Sequence, residues 1–254
     1  MSKLCILQSY DDSRMTSWLQ VCRDSVRQWA DLHGYSYHFI GDELFEDVPA
    51  WYLEKAAGRL PIAADLGRLQ WQQRLLADFD VVVWLDVDVL VFAPQLLIVE
   101  LYQRDCVFGR ESWLQQDVSK AGRFTTYRNV HNAYMGFAKS STTLPFLIDT
   151  VLDMMRRVDP QHIAPQFVGP KLLSSLHNTV GFALEPRVGA LSDVFRDALL
   201  HDNQKPLQVF SQRCQATVAA ANLCATLATS ASEMDAYVQR LLTFSSGIGP
   251  STFT

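Results

Sequence analysis

The chain has 254 residues, 48% of them hydrophobic and 19% charged, with 12 glycines and 10 prolines. These values sit near the globular average, so collagen-like, low-complexity and disordered classes are excluded, and the length suffices to bury a sizeable core. A formal net charge of -5 argues against a dedicated nucleic-acid binder, which usually carries a basic surplus.

Five cysteines, Cys5, Cys22, Cys106, Cys214 and Cys224, form no Cys-x-x-Cys pair and lie in apolar surroundings. They read as reduced core thiols and point to a cytoplasmic protein. The opening residues, MSKLCILQSY, lack the charged leader, long apolar stretch and small-residue cleavage site of a signal peptide. No apolar run approaches the ~20 residues that cross a bilayer, so no transmembrane segment is expected.

Residues 3–8 (KLCILQ) read as a buried strand that runs into the polar Gln8, Ser9 and Tyr10. Asp11, Asp12 and Ser13 then offer helix-capping side chains. From Trp18 to Leu32 the apolar set Trp18, Leu19, Cys22, Val26, Trp29 and Ala30 recurs at helical spacing, with Gly34 as the cap. Tyr35–Ile40 alternates like a second strand before the Gly41-Asp42 turn. Strand, helix and strand at this spacing open an α/β sheet with parallel neighbours.

Residues 43–61 contain Pro49, Trp51, Tyr52 and Pro61 and show no clean period. Residues 62–78 predict a helix with Leu66, Leu69, Leu75 and Leu76 inward. It leads into FDVVVWLDVDVLVF, residues 79–92, which reads as one apolar strand interrupted by two carboxylates. Weaker strands are expected at 107–109, 133–138 and 188–190, and helices at 144–157 and 171–177. The Ala-rich stretch from Thr217 to about Leu242 predicts a helix. The organisation expected is a catalytic domain over 1–213 with a helical C-terminal segment, 214–254, on the same domain.

Asp86 and Asp88 carry the sharpest chemical signal. In a strand buried on both faces, two carboxylates are costly unless they face a cation or are protonated. Alternation along an extended chain would put them on one side, roughly 7 Å apart. Hard oxygen donors at that spacing suit magnesium or manganese bridging to substrate phosphates. Ligands of open α/β sheets also collect beyond the carboxyl ends of the strands. The plain alternative, two solvated strand-end acids, fits poorly with the apolar flanks Val81–Leu85 and Val89–Phe92.

Three segments in order carry a family resemblance: ADLGRLQWQQRLLADFDVVVWLDVDVLVF, then HNAYMGF followed by LPFLIDTVLDMM, then VGPKLLSSL. Over residues 62–178 the chain resembles GT-A type glycosyltransferases of the family with a sugar-binding region containing the DXD motif. The resemblance implies a GT-A fold (Rossmann-like nucleotide-diphospho-sugar transferase): a mixed, mainly parallel sheet flanked by helices, with a helical C-terminal segment. It implies hexosyl transfer, with retention, from a nucleotide-sugar. UDP is the leading nucleotide, the acceptor is a glycan or other hydroxyl compound, and the cofactor is Mn2+ (or Mg2+).

Residue by residue, the resemblance makes Asp86 and Asp88 metal ligands, with Asp88 acting through the diphosphate and Asp86 also touching the ribose. It sets Asp65 and Arg68, one helical turn apart, near the nucleotide-sugar, and Gln8, Ser9 and Tyr10 near the base. Asn132 would face donor sugar or acceptor, and Gly169 and Pro170 would begin a helix whose amides face the acceptor or a phosphate. His201, in LLHDNQKPL, stands for the C-terminal third metal ligand, with Asp202 and Asn203 as neighbouring alternatives, although the family's His-x-x-Gly-x-x-Lys-Pro surroundings and terminal Ser-Trp are absent. His131 precedes Asn132, so strand alternation leaves only one of the pair facing the site, and Asn132 is favoured.

Each role has a structural rival. Asp65 and Arg68 suit a plain ion pair, Asn132 a turn, Gly169-Pro170 a simple helix start, and Lys171 a solvated surface. Trp113 and the Trp51-Tyr52 pair suit either a sugar face or the core. Glu185 and Asp193 are the downstream acids available as a base in an inverting mechanism. Two other functions compete. A haloacid-dehalogenase-like phosphatase would use Asp86 as nucleophile, but its motif normally lies on the first strand and continues Gly-Thr, where this chain has Val89-Leu90. A non-catalytic transferase-fold binding protein would have no need of two buried acids.

Overall fold

Alternating side chains in the first strand feed two separate cores. The computed structural model describes residues 3–101, 104–120 and 122–253. In β1 (Leu4–Ser9), Ile6 enters one core while Cys5 and Leu7 enter the other. Helix α1 (Ser17–His33) buries Trp18, Leu19, Cys22, Val26, Trp29 and Ala30 along one face and stops at Gly34, whose φ of 69° is left-handed. Strand β2 (Ser36–Ile40) then returns parallel to β1.

The stretch without a clean period holds a 3-10 turn and α2 (Ala50–Ala56), and the helix expected over 62–78 is α3 (Leu60–Leu75). Pro61 sits in the first turn of α3, where its missing N–H costs no hydrogen bond. Strand β3 (Val81–Leu85) repeats the division of β1, with Val82 and Trp84 in one core and Val83 and Leu85 in the other.

Here the structure departs from the single strand expected over 79–92. The chain turns at Asp86, where the Val89 N–H donates to the Asp86 carbonyl at 3.0 Å. Strand β4 (Val89–Val91) leaves the large sheet and pairs elsewhere. Asp86 and Asp88 therefore stand at a turn beyond the carboxyl end of β3, not side by side on an extended backbone.

Strand β5 (Cys106–Arg110) is followed by a hairpin, β6 (Trp113–Gln116) and β7 (Phe124–Tyr127), and by the long β8 (Val130–Ala138). Helices α4 (Thr143–Arg157) and α5 (Pro170–Val180) precede the short strands β9 (Ala183–Glu185) and β10 (Val188–Ala190). Helices α6 (Asp193–Leu200) and α7 (Gln204–Arg213), β11 (Ala220–Asn222) and α8 (Ala231–Leu242) complete the chain. The large sheet has the order β2-β1-β3-β8-β5-β9. Only β8 runs against its neighbours, so the sheet is mixed and mainly parallel. Helices α2 to α5 cover one face; α1, α8 and the small sheet β10-β11-β4 cover the other.

The Ala-rich segment also departs from expectation. Only Ala231–Leu242 is α-helical, with a 3-10 turn at Ala225–Leu227; Ala219, Ala220 and Ala221 are fully buried, and β11 lies between β10 and β4. Helix propensity favours alanine by only tenths of a kcal/mol per residue, and a strand with partners on both sides outweighs it. The segment 214–254 thus supplies the middle strand of the small sheet as well as a helix. No helix among the described residues is long and apolar enough to cross a membrane.

Candidate functional site

A cleft of about 1050 Å³ opens at the carboxyl end of β3. Its lining includes the Asp86–Asp88 turn, Asp65 and Arg68 of α3, His131 and Asn132 of β8, and Pro170 and Lys171 of α5. The β6–β7 hairpin and the segment after β11 complete it.

The backbone of Asp86 is pinned before its side chain is aimed. Its N–H donates to the Ala133 carbonyl at 3.0 Å, and its carbonyl accepts from Gln8 Nε2 at 3.1 Å. Gln8 is fully buried and its Oε1 accepts from the Tyr37 hydroxyl at 2.9 Å. Ser9 Oγ donates to the Gly41 carbonyl at 3.1 Å, and Tyr10 packs partly buried on the core. None of the three lines the cleft. In place of the base contact expected of it, Gln8 holds the backbone that presents Asp86.

Asp86 Oδ1 accepts from Arg68 Nη1 at 3.0 Å and from Trp84 Nε1 at 2.6 Å. Arg68 Nη2 lies 3.1 Å from Asp65 Oδ1, which also accepts from Asn132 Nδ2 at 2.7 Å. Asp65 and Arg68 are each only 7% exposed, and the guanidinium sits 5.3 Å above the Trp84 ring. The one-turn spacing of α3 thus gives the buried ion pair weighed as its structural rival, within the cleft wall and bridged to Asp86. Burial pushes the Asp65 carboxyl up to about 6, with Arg68 and Asn132 pulling it back. Gly169 starts α5 against this network, where a Cβ would lie 2.6 Å from Asp65 Oδ2 and 2.9 Å from Asn132 Nδ2. A side chain there has no room.

Asp88 has different partners. It is 8% exposed; its Oδ1 accepts from Asn222 Nδ2 at 2.6 Å and its Oδ2 from the Ala225 N–H at 2.7 Å. Asn222 Oδ1 accepts from the Cys224 N–H at 2.8 Å, closing a turn in which Cys224 takes a left-handed φ of 55°. That strained turn aims the Ala225 N–H at Asp88. The donors are neutral. Burial, and then the charge of Asp86, push the Asp88 carboxyl up.

His131 and Asn132 both line the cleft, which corrects the expectation that only one does. They point apart as alternation requires, Asn132 to Asp65 and His131 to the Val188 carbonyl, 2.9 Å from Nε2. The ladder shifts register between Phe108 and Gly109, and a Cβ at Gly109 would lie 2.1 Å from the His131 ring. That glycine lets the ring lie across β5. Burial pushes His131 down, and because the Val188 carbonyl can only accept, Nε2 is the donor of that bond.

His201 stands apart from the cleft. It is exposed at the end of α6, with Nδ1 2.8 Å from the Asp197 carbonyl. The polar break that contains it is the joint between α6 and α7, and the residue placed beside Asp88 is Asn222. Glu185 is also excluded as a base: it is 5% exposed and gripped by Arg187 through Nε and Nη2, each at 2.7 Å. Asp193 is the first residue of α6, where its Oδ1 accepts from the Val194 N–H at 2.8 Å. Tyr52 belongs to the core with Trp51 edge-on against it at 5.7 Å. All five cysteines are free.

Among the described residues no group of three or more His, Cys, Asp or Glu is placed to hold a metal. Magnesium and manganese do not need one; one or two carboxylates, with water and phosphate oxygens, suffice. Asp65, Asp86, Asp88 and Glu111 set four acids against two cations, Arg68 and Lys171, in the cleft lining. Both bonds to Asp86 fall on Oδ1, and its side chain is 27% exposed. The donor set and its surplus negative charge fit a divalent cation. Sequence reasoning missed Asn222, Ala225 and Glu111. The first two sit in a stretch that reads as helix, and Glu111 belongs to no motif.

No protein-family model matches the chain, and no curated protein matches its sequence. Solved structures match in shape. The structure of mouse xyloside xylosyltransferase 1 in its apo form superposes with a TM-score of 0.51 at 10% identity, covering 90% of this chain and 99% of that one. A glycosyltransferase involved in glycosylation of the major capsid of PBCV-1 gives 0.49 at 12% identity, over 93% and 98% of the two chains. The xylosyltransferase likeness shows the fold: this chain shares the mixed α/β architecture of a glycosyltransferase.

Proposed function

We propose that the protein is a metal-dependent glycosyltransferase that moves a hexosyl group, with retention, from a UDP-sugar to a hydroxyl acceptor. The observation that carries this reading is the Asp86–Asp88 turn, with a surplus of buried acid, at the floor of a cleft beyond the carboxyl end of β3. The shared fold supports it.

Asp86 and Asp88 would hold Mn2+ or Mg2+, which supplies a positive charge for the departing diphosphate. Arg68 and Trp84 fix Asp86 Oδ1, which leaves Oδ2 for the cation. Asn222 and Ala225 fix both oxygens of Asp88 without neutralising it. Lys171, at the first turn of α5, offers a mobile cation to phosphate oxygens, and the helix terminus there favours negative charge. Asp65, Arg68 and Asn132 form one hydrogen-bonded wall that holds its shape as ligand enters.

Calorimetric titration of UDP with and without Mn2+ tests the reading, run on the wild type and on Asp88→Asn. The expected result is Mn2+-dependent binding that the substitution abolishes. GDP and ADP belong in the same series, and absence of binding by every nucleotide under every metal condition overturns the proposal.

A further inference from the structure

One wall of the cleft is built by the hairpin, and period-2 alternation decides what it shows. Glu111, Trp113 and Gln115 on one strand and Tyr127 and Asn129 on the other all line the cleft. Trp113 stands directly opposite Tyr127 in the β6–β7 register. The Glu111 N–H donates to the Asn129 carbonyl at 2.9 Å, which extends the ladder one rung further. On the reverse side Leu114 is fully buried, and its carbonyl accepts from Ser192 Oγ at 2.5 Å. The hairpin is therefore anchored from behind.

Two features of that face stand out. Tyr127 is 49% exposed and stands across the ladder from Trp113, so two aromatic side chains face the cleft on one rung. Glu111 Oε2 is buried with no hydrogen-bond partner. Burial pushes this carboxyl up, with Asn129 partly offsetting the effect. An aromatic surface beside an acceptor-only oxygen and two carboxamides is complementary to one chemistry in particular. A pyranose has an apolar C–H face, which covers aromatic rings, and a rim of hydroxyls, which donate to carboxylate and amide oxygens.

We infer that this hairpin face is the acceptor subsite and that the acceptor is a saccharide: the Trp113–Tyr127 rung carries the ring face and Glu111 Oε2 accepts a hydrogen bond from a sugar hydroxyl. The inference rests on the transferase reading for the word acceptor. Saccharide binding belongs to the hairpin, however, and nucleotide binding to the Asp86–Asp88 turn, so the two are separable.

The test applies the full-length chain to a printed array of mono- to tetrasaccharides, then measures the retained glycans by calorimetry against the wild type, Tyr127→Ala, Tyr127→Phe and Glu111→Gln. UDP titration with Mn2+ accompanies each. A subset of glycans should bind the wild type. Tyr127→Ala and Glu111→Gln should each weaken them at least about tenfold, Tyr127→Phe should retain them, and UDP affinity should stay within about twofold. Tyr127 is half exposed, so its substitution leaves the fold intact, and the UDP titration verifies that. Retention of no glycan, or equal retention by the Tyr127→Ala and Glu111→Gln variants, overturns the inference even where UDP binds. Tyr127-dependent glycan binding with no nucleotide binding sustains the saccharide site and overturns the transferase reading instead.

Discussion

Asp86 and Asp88 stand two residues apart in opposite electrical surroundings. Asp86 leans on α3 and β8, where Arg68 bridges it to Asp65 at 3.0 and 3.1 Å. Asp88 leans on the C-terminal segment, where its carboxylate accepts from two neutral donors, the Asn222 side chain and the Ala225 N–H. One carboxylate has its countercharge within the fold. The other is oriented by the fold but not neutralised, which leaves its charge for something that enters the cleft. That division suits a site that must be rigid without its ligand and receptive to a cation.

The largest effects follow from breaking the charged side. Arg68→Met strands Asp65 and Asp86 as buried acids, and removal of one partner from a buried ion pair costs about 3–5 kcal/mol. Urea unfolding in metal-free buffer reads this directly. Asp88→Asn removes a charge that has no countercharge but sets an NH2 against one of its two donors, Asn222 Nδ2 or the Ala225 N–H, and should cost about 1–3 kcal/mol, less than the loss of Arg68. Equal losses in the two variants would erase the distinction between the two sides.

The same contrast has a pH dependence. The Asp65 carboxyl is raised from its ordinary 3.8 to about 6 in the folded protein. A raised carboxyl binds its proton more tightly when folded, so its contribution is complete below about pH 4 and is lost as pH rises through about 6. Metal-free stability should therefore fall over that window, by up to about 3 kcal/mol from this group, and Asp65→Asn should flatten the profile. Asp88 is raised too, and a cation binds its ionised form. The thermal stabilisation given by Mn2+ should accordingly be larger at about pH 7.5 than at about pH 5. An Mn2+ effect independent of pH would remove Asp88 from the ligand set.

The sequence made one side of this site far easier to read than the other. Asp65 and Arg68 announce themselves by helical spacing, and the apolar run of β3 marks its acids as out of place. The turn at Asp86 does not announce itself, because Val89–Val91 is as apolar as Val81–Leu85 and only the pairing of β4 with β11 shows that the chain has changed sheets. The partners of Asp88 were hidden for a related reason. An alanine run carries little side-chain information, and Ala220, Ala221 and Asn222 make a strand only because β10 and β4 lie on either side of them. Long-range pairing decides both cases, and local propensity cannot supply it. The hairpin that holds Glu111 was missed as well, although Trp113 stood out as an aromatic suited to a sugar face.

A smaller effect is expected at the neutral side. Asn222→Ala removes the donor to Asp88 Oδ1 and leaves that oxygen buried without a partner, at a cost of about 1–3 kcal/mol. The Cys224 turn loses its side-chain acceptor at the same time, so the Ala225 N–H is no longer aimed. Mn2+-dependent UDP binding should weaken while the Arg68–Asp65 pair stays intact. Unchanged UDP affinity in this variant would show that the orientation of Asp88 is held from elsewhere.

The smallest effect separates what the family resemblance implies from what the fold presents. The resemblance makes His201 a metal ligand, but the structure puts it on the exposed end of α6, bonded to the Asp197 carbonyl in its own last turn. A ligand would have to leave that bond and cross to a cleft whose lining does not include it. His201→Ala should then leave the Mn2+ dependence of UDP binding unchanged and lower stability by less than about 1 kcal/mol, as befits a solvated helix-end hydrogen bond. Loss of Mn2+-dependent binding in this variant would mean that α6 and α7 rearrange when nucleotide enters, bringing their joint to Asp88. The neutral side of the site would then be the moving part, and the Asn222 contact a resting arrangement that the metal displaces.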